Sequence, residues 1–128
     1  MKIKKFTFIL IVFCLFCTSS AFALPNLGVD GDCSIDSVAP YRTKVKLSGY
    51  TKGTPEGTIA KTGVYLDLYA SGEKVKTYIA NEDSYSVSIS KYYTGEIGDI
   101  LQLKAEHLVI GDNGDTRSME TEDYYMID

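Results

Sequence analysis

The chain contains 128 residues, with 13 Lys or Arg against 17 Asp or Glu, which gives a formal net charge of −4. This length is enough for one domain with a single hydrophobic core. An acidic balance argues against DNA, RNA or an anionic membrane surface as the partner, because each of these attracts positively charged proteins. The composition therefore indicates one small domain that binds neither nucleic acid nor membrane.

The first 23 residues have the layout of a secretory signal peptide. Three lysines within the first five residues form a basic head, a largely apolar run extends from Phe6 to Phe16, and Ala21-Phe22-Ala23 is a small-x-small cleavage signal. The apolar run is too short for a membrane-spanning helix, which needs about 20 residues. We therefore expect cleavage after Ala23 and a secreted, extracellular protein with no membrane attachment after cleavage.

Cleavage would leave Leu24 to Asp128, where ten basic residues stand against 17 acidic ones for a net charge of −7. Cys33 is the only cysteine in that segment, so it cannot form an intrachain disulfide, and the fold must depend on its hydrophobic core. Three states remain open for Cys33: buried, free and reactive, or paired with another chain. We favour a buried and inert thiol, because no other motif lies nearby.

Alternation of apolar and polar side chains predicts seven short β-strands. The clearest run extends from Asp99 to Ile110 and is bounded by turn residues on both sides. The strands are predicted at residues 33–38, 41–51, 62–70, 74–80, 84–90, 99–110 and 116–127. The predicted core-facing positions of the sixth strand are Leu101, Leu103, Ala105, His107 and Val109.

The same alternation assigns the faces of the other strands. Val64, Leu66 and Leu68 face the core in the third strand, whereas Tyr65 and Tyr69 face away from it. The last strand is rich in charge on both faces, which is typical of an edge strand. The predicted apolar faces of the fourth and fifth strands are Val75, Thr77 and Ile79, and Tyr85, Val87 and Ile89.

Seven strands at this spacing indicate a single antiparallel β-sandwich over residues 33–128, preceded by an N-terminal arm at residues 24–32. Parallel pairing would need long crossover connections, and none is present between the predicted strands. No 12-residue window has the 3.6-residue period of an amphipathic helix. The expected fold class is therefore all-β.

The run Leu101-Gln102-Leu103-Lys104-Ala105, with the turn and charged strand that follow it, resembles the penultimate strand of fibronectin type III and bacterial immunoglobulin-like domains. Those families begin this strand with a corner-forming tyrosine, where Leu101 stands here, and the strand matched by Val64 to Tyr69 lacks their core tryptophan. The chain also resembles short exported proteins of Gram-positive bacteria, which have a signal peptide, one sandwich and no assigned function. The resemblance covers about Tyr41 to Ile127 and implies fold and export, but no site.

His107 is the only histidine. It occupies a core-facing position of the sixth predicted strand, which predicts a buried, hydrogen-bonded side chain. The alternative pairs it with Cys33 as base and nucleophile in an extracellular enzyme, or places it in the pocket of an enzyme inhibitor. No nucleophile-elbow, zinc-binding or phosphate-binding motif surrounds either residue, so we predict no catalysis.

Two acidic segments contain oxygen-bearing residues that calcium prefers, Asp30-Gly31-Asp32 and Asp112-Asn113-Gly114-Asp115. Neither has the EF-hand spacing, and Asp, Asn and Gly are also the ordinary residues of turns. We therefore expect no cofactor. If one segment binds calcium, we favour Asp112, Asn113 and Asp115 as ligands and calcium-dependent adhesion as the function.

The tyrosines are the most suggestive feature for function. Tyr65 and Tyr69 share an outward strand face, and Tyr78 is expected to join them across the hairpin. Exposed tyrosines offer a large, stiff contact area to a protein or a sugar. The alternative is that they cover the outer sheet face and pair across strands. We expect a non-catalytic immunoglobulin-like binding or structural module whose partner is a protein or glycan outside the cell.

Overall fold

A computed structural model describes residues 27–128, so the expected signal peptide and the first three residues of the expected N-terminal arm lie outside the described residues. Seven strands form two antiparallel sheets, which confirms the predicted all-β sandwich. One 3-10 turn, Glu56–Thr58, lies between the second and third strands. The strands are β1 (Gly28–Ser37), β2 (Lys44–Thr54), β3 (Ile59–Ala70), β4 (Glu73–Glu82), β5 (Ser86–Thr94), β6 (Ile100–Gly111) and β7 (Thr116–Met126).

The two sheets have the strand orders β1-β2-β5 and β4-β3-β6-β7. Every neighbouring pair is antiparallel. The four-stranded sheet is one strand wider than the sheet that faces it. β3 and β6 are the two central strands of the four-stranded sheet, and each buries one face against the three-stranded sheet.

The alternation of the central strands is confirmed. Leu66 lies opposite Ala105 and Leu68 lies opposite Leu103 in the register of β3 with β6. Burying one leucine side chain contributes about 1.5–3 kcal/mol, so these strands supply much of the stabilising free energy. The fully buried apolar side chains are Val45, Leu47, Val64, Leu66, Leu68, Leu101, Leu103, Val109 and Ile127.

Strand boundaries differ from the prediction where the apolar signal is weak. β1 begins at Gly28 rather than Cys33, so residues 28–32 belong to the sheet and not to the arm. Glycine and aspartate dominate those residues, yet their backbone pairs in register with residues 50–54 of β2. Backbone pairing with a long central strand therefore forms a strand that side-chain alternation does not reveal.

The predicted apolar face of β4 was wrong. Leu66 lies opposite Tyr78 and Val64 lies opposite Ala80, so the core side of β4 carries those two residues. Tyr65 lies opposite Ile79, which points outward and is 56% exposed. Directly opposed residues share one face of a sheet, and a register shift between Leu68 and Tyr69 leaves Val75 without a directly opposed residue in β3. The register with β3, and not the apolar pattern of β4, therefore sets its orientation.

The edge strands carry charge on their core side. On β7, Asp123 lies opposite Leu103, and its carboxylate accepts a 2.8 Å hydrogen bond from the backbone N–H of Ile35 in β1. On two of the other three edge strands, Lys76 of β4 lies opposite Leu68 and Lys91 of β5 lies opposite Leu47. Inward charges on edge strands oppose pairing with a strand of another chain.

We predict that Asp123→Ala lowers the free energy of unfolding by about 1–3 kcal/mol, because the partly buried Ile35 N–H would lose its acceptor. Urea unfolding measures the change. Asp36→Ala, which removes an exposed carboxylate on β1 bonded only to the Ser34 hydroxyl, is the matched control and should cost less than about 0.5 kcal/mol. Equal losses in the two variants would contradict the bridging role of Asp123.

Candidate functional site

The outer surface of the four-stranded sheet carries the predicted Tyr65 and Tyr69, and we call it the tyrosine face. It consists of the outward side chains of β4, β3, β6 and β7, which the register arranges in rows across the sheet. The first row runs Ile79, Tyr65, Glu106, Glu120. The second runs Thr77, Asp67, Lys104, Glu122, and the third runs Lys74, Tyr69, Gln102, Tyr124.

Tyr69 is held between two ammonium groups. Lys104 Nζ lies 5.3 Å from the centre of its ring, and Lys74 Nζ lies 6.0 Å from it. A cation over an aromatic face is attracted by the negative π surface. Tyr69 is therefore half-buried under lysine side chains, whereas Tyr124 at the end of the same row is exposed.

Part of the face is organised by side-chain hydrogen bonds. Thr77 Oγ1 donates to Asp67 at 2.6 Å, and Gln102 Nε2 donates to the Tyr124 hydroxyl at 2.7 Å and to Glu122 at 3.2 Å. These bonds link neighbouring strands across the second and third rows. The first row is different, because the carboxylates of Glu106 and Glu120 lie directly opposite each other on adjacent strands.

A depression of about 510 Å³ lies over the first two rows. Tyr65 and the carboxylates of Glu106 and Glu120 are among the residues that line it. Lys104 is the one basic residue among its lining residues. The depression is open, acidic and bordered by an aromatic ring, which suits contact with a ligand rather than enclosure of a substrate.

Tyr78 does not extend this face. It lies opposite Leu66 on the core side of β4 and packs against the hydrophobic core. Tyr93 packs against the same core, and its pKa is raised by burial and, to a smaller extent, by Asp99, Glu96 and Tyr78. The sequence placed Tyr78 with Tyr65 and Tyr69 because it assigned the wrong face of β4 to the core.

His107 is fully buried between the two sheets, and both ring nitrogens have partners. Nδ1 lies 2.8 Å from Thr51 Oγ1 on β2, and Nε2 lies 2.7 Å from Thr121 Oγ1 on β7. Because Thr51 gives its hydroxyl proton to the Gly63 carbonyl at 2.9 Å, its oxygen accepts from the ring, and the proton is assigned to Nδ1. Gly31 of β1 packs against the ring so closely that a Cβ there would clash with it.

Cys33 lies next in the same buried chain of polar groups. Its Sγ is 3.4 Å from Thr121 Oγ1 and 3.8 Å from the Leu103 carbonyl oxygen. Burial raises the pKa of the Cys33 thiol and lowers the pKa of His107. A nucleophilic cysteine needs a thiolate beside an imidazolium, whereas these shifts favour a neutral thiol and a neutral imidazole. The structure thus brings the two residues near each other through Thr121, in a buried and uncharged state.

We predict that His107 makes the fold acid-sensitive. Its pKa in the folded state lies below the unfolded value of about 6.5, so unfolded chains bind more protons as the pH falls through that value. Its contribution to stability is complete above about pH 6.5 and is lost as the pH falls toward the folded pKa. Urea unfolding at neutral and mildly acidic pH should show a steeper loss for the wild type than for His107→Gln. Parallel pH profiles would contradict this role.

The segments considered for calcium lie in different settings. Asp30-Gly31-Asp32 is part of β1 and not a turn. In the turn between β6 and β7, Asn113 Oδ1 accepts the Asp115 N–H at 3.1 Å, and Asn113 Nδ2 donates to Asp115 Oδ2 at 3.2 Å. Within residues 27–128, no group of three His, Cys, Asp or Glu side chains is arranged to hold a metal ion.

Calcium binding by Asp112, Asn113 and Asp115 therefore stays a prediction of the sequence. Thermal unfolding with added calcium and with a chelator tests it. Ligand that binds only the folded state raises the unfolding midpoint. An unchanged midpoint would remove the site and calcium-dependent adhesion with it.

Sequence reasoning missed the acidic part of the tyrosine face. The outward positions of Glu120 and Glu122 follow from period-two alternation on β7. Their placement beside Glu106 and Tyr65 depends on the register of β7 with β6 and of β6 with β3. No short-range signal in a single sequence specifies which residues of distant strands lie opposite one another.

No protein-family model matches the chain, and no curated protein sequence matches it significantly. In the part of the chain from residue 27 onward, no helix has the length and apolar character needed to cross a membrane.

Proposed function

We propose that the chain is a secreted, non-catalytic binding module with an immunoglobulin-like or fibronectin type III-like fold, and that its tyrosine face contacts a protein or glycan outside the cell. The observation that carries this proposal is the array of outward aromatic and charged side chains on the four-stranded sheet. Export is proposed from the basic head, apolar run and Ala21-Phe22-Ala23 signal of the leader.

The strand order supports the resemblance to fibronectin type III domains. β4 pairs with β3 and lies in the sheet of β6 and β7. Constant-type immunoglobulin domains place their fourth strand in the other sheet. The corner tyrosine and core tryptophan of these families are replaced by Leu101 and by the aliphatic side chains of β3, so the core is built from leucine and valine instead.

Tyr65 and Tyr69 are suited to recognition because their backbone is rigid. They alternate along β3 with Leu66 and Leu68, which have no exposed surface. Packed neighbours hold the strand in place, so little conformational entropy is lost when a partner covers the rings. Tyrosine gives a large contact area with a polar hydroxyl at its rim, which suits both protein and sugar partners.

An extracellular enzyme or enzyme inhibitor with a pocket around His107 remains the alternative function. The burial of His107 and the neutral state favoured for Cys33 give it no support. Turnover of a substrate that is lost in His107→Gln, with folding intact, would favour it over the binding module.

We predict that Tyr65→Ala combined with Tyr69→Ala weakens partner binding by about tenfold or more while the fold is preserved, because these half-buried rings lie on the outer face of the sheet and not in the core. The measurement is binding of the secreted chain to panels of glycans and extracellular proteins, with circular dichroism as the folding check.

Tyr41→Ala combined with Tyr92→Ala is the matched control. Both of these rings are 59% exposed, and they lie together at the other sheet, on either side of Lys44. Binding that is unaltered in the Tyr65 and Tyr69 variant, or reduced equally by the control, would refute the tyrosine face as the contact surface.

A further inference from the structure

We infer that the partner of the tyrosine face is an extended polypeptide segment that carries lysine or arginine at alternate positions. This inference rests on the proposed binding function and specifies the chemistry of its partner. It follows from the charges that the face leaves uncompensated, from their spacing, and from the way this chain already places ammonium groups against tyrosine rings.

The first row of the face has an excess of negative charge. Glu106 and Glu120 are exposed and directly opposed on β6 and β7. Among residues 27–128, the salt bridges within 4.0 Å are Lys52–Glu56, Lys61–Asp83 and Lys74–Asp67, so neither glutamate has a basic partner. Like charges opposed across two strands destabilise a sheet. A cation from a partner would offset that repulsion, and a neutral sugar would not.

Lys104 does not neutralise the row. It is the one lysine lining the depression, and its ammonium lies over the ring of Tyr69. The carboxylates of Asp67, Glu106, Glu120 and Glu122 line the same depression. The face is therefore complementary in charge to a cationic partner.

The carboxylate spacing matches an extended chain. Glu120 and Glu122 are two residues apart on the outer side of β7, which separates them by about 7 Å. An extended peptide presents every second side chain on one side at the same interval. Two alternate lysines could therefore contact both carboxylates at once, and the neighbouring Tyr65 ring could cover their methylene stems.

The chain shows how its tyrosines accept a cation. Lys44 Nζ lies 4.8 Å from the ring centre of Tyr92 and 5.2 Å from that of Tyr41. Lysine ammonium groups thus lie against tyrosine rings on both sheets, since Tyr69 has the same kind of contact with Lys104 and Lys74. The same interaction is available to a lysine from outside at Tyr65 or Tyr124, for which no cation is recorded among the described residues.

The face, rather than a sheet edge, is the place for this segment. Adding a strand to β4 or β5 would bring it beside Lys76 or Lys91, which lie on the core side of those edges. A basic segment would be repelled there. The other two edge strands, β1 and β7, pack against each other, and the Ile35 N–H of β1 donates to the Asp123 carboxylate of β7. On the tyrosine face it meets carboxylates and rings instead.

The test titrates the secreted chain with a blocked peptide in which Lys and Thr alternate, and follows backbone amides by NMR. The matched probes are the same peptide with Glu in place of Lys, and spermine, a small polyamine of comparable charge. We expect the Lys peptide to shift amides of β3, β6 and β7, to bind more weakly as the ionic strength rises from about 0.01 M to about 0.15 M, and to bind more tightly than spermine. The Glu peptide should cause no shifts.

Glu106→Gln combined with Glu120→Gln should weaken binding of the Lys peptide by about fivefold, as expected for the loss of exposed charge contacts, and should raise the midpoint of thermal unfolding. A purely structural role would not produce these opposite changes. Asp30→Asn combined with Asp36→Asn makes the same change in net charge on β1 of the other sheet, and it should leave the affinity within about twofold.

The remaining outcomes separate the two proposals. Three results would each overturn the proposal of a basic polypeptide partner. Spermine could bind as tightly as the peptide, the two charge variants could have equal effects, or the amide shifts could lie outside the tyrosine face. If the chain self-associates and the same amides are covered, the face binds a second copy of the chain, and the proposal of a basic polypeptide partner is overturned as well. A partner that is lost on replacing Tyr65 and Tyr69 but not Glu106 and Glu120 would refute the partner class and leave the proposed function standing.

Discussion

The pairing of β3 with β6 is the interaction on which the rest of the structure depends. Leu66 and Leu68 on one strand, and Leu101 and Leu103 on the other, form the middle of the buried layer. Because side chains alternate with a period of two, burying these leucines forces the residues between them to the opposite surface. The tyrosine face is therefore a geometric consequence of the core, and any change that disturbs the core register would also remove the face.

The single histidine contributes to the same layer in a different way. It joins β6 to β2 through Thr51 and to β7 through Thr121, and Gly31 of β1 leaves room for its ring. No buried side-chain nitrogen or oxygen among the described residues lacks a hydrogen-bond partner. A buried polar group that is fully bonded helps to specify one arrangement of the two sheets. His107 and Cys33, the residues with the most obvious chemistry, are thus part of the buried layer, whereas the surface proposed for recognition is the outer face of the four-stranded sheet.

Much of the fold follows from the sequence, because strong apolar alternation in β3 and β6 leaves one way to bury their leucines. The beginning of β1 does not follow from the sequence, because residues 28–32 pair through their backbone and have no apolar alternation. The face of β4 that lies toward the core does not follow from the sequence either. The irregular pairing around Val75 and the register with β3 determine it, against the alternation of β4 itself. Tyr65 and Tyr69 could be placed from period alone. The opposition of Glu106 and Glu120 could not, because it depends on pairing between strands whose register no local residue specifies.

The register of β3 with β6 is the most direct test of this account. Interstrand nuclear Overhauser effects between backbone protons of the two strands measure it. The account predicts contacts that place Leu66 opposite Ala105 and Leu68 opposite Leu103. Contacts displaced by one residue would turn Tyr65 and Tyr69 toward the core, and that result would contradict both the described fold and the binding surface proposed for it.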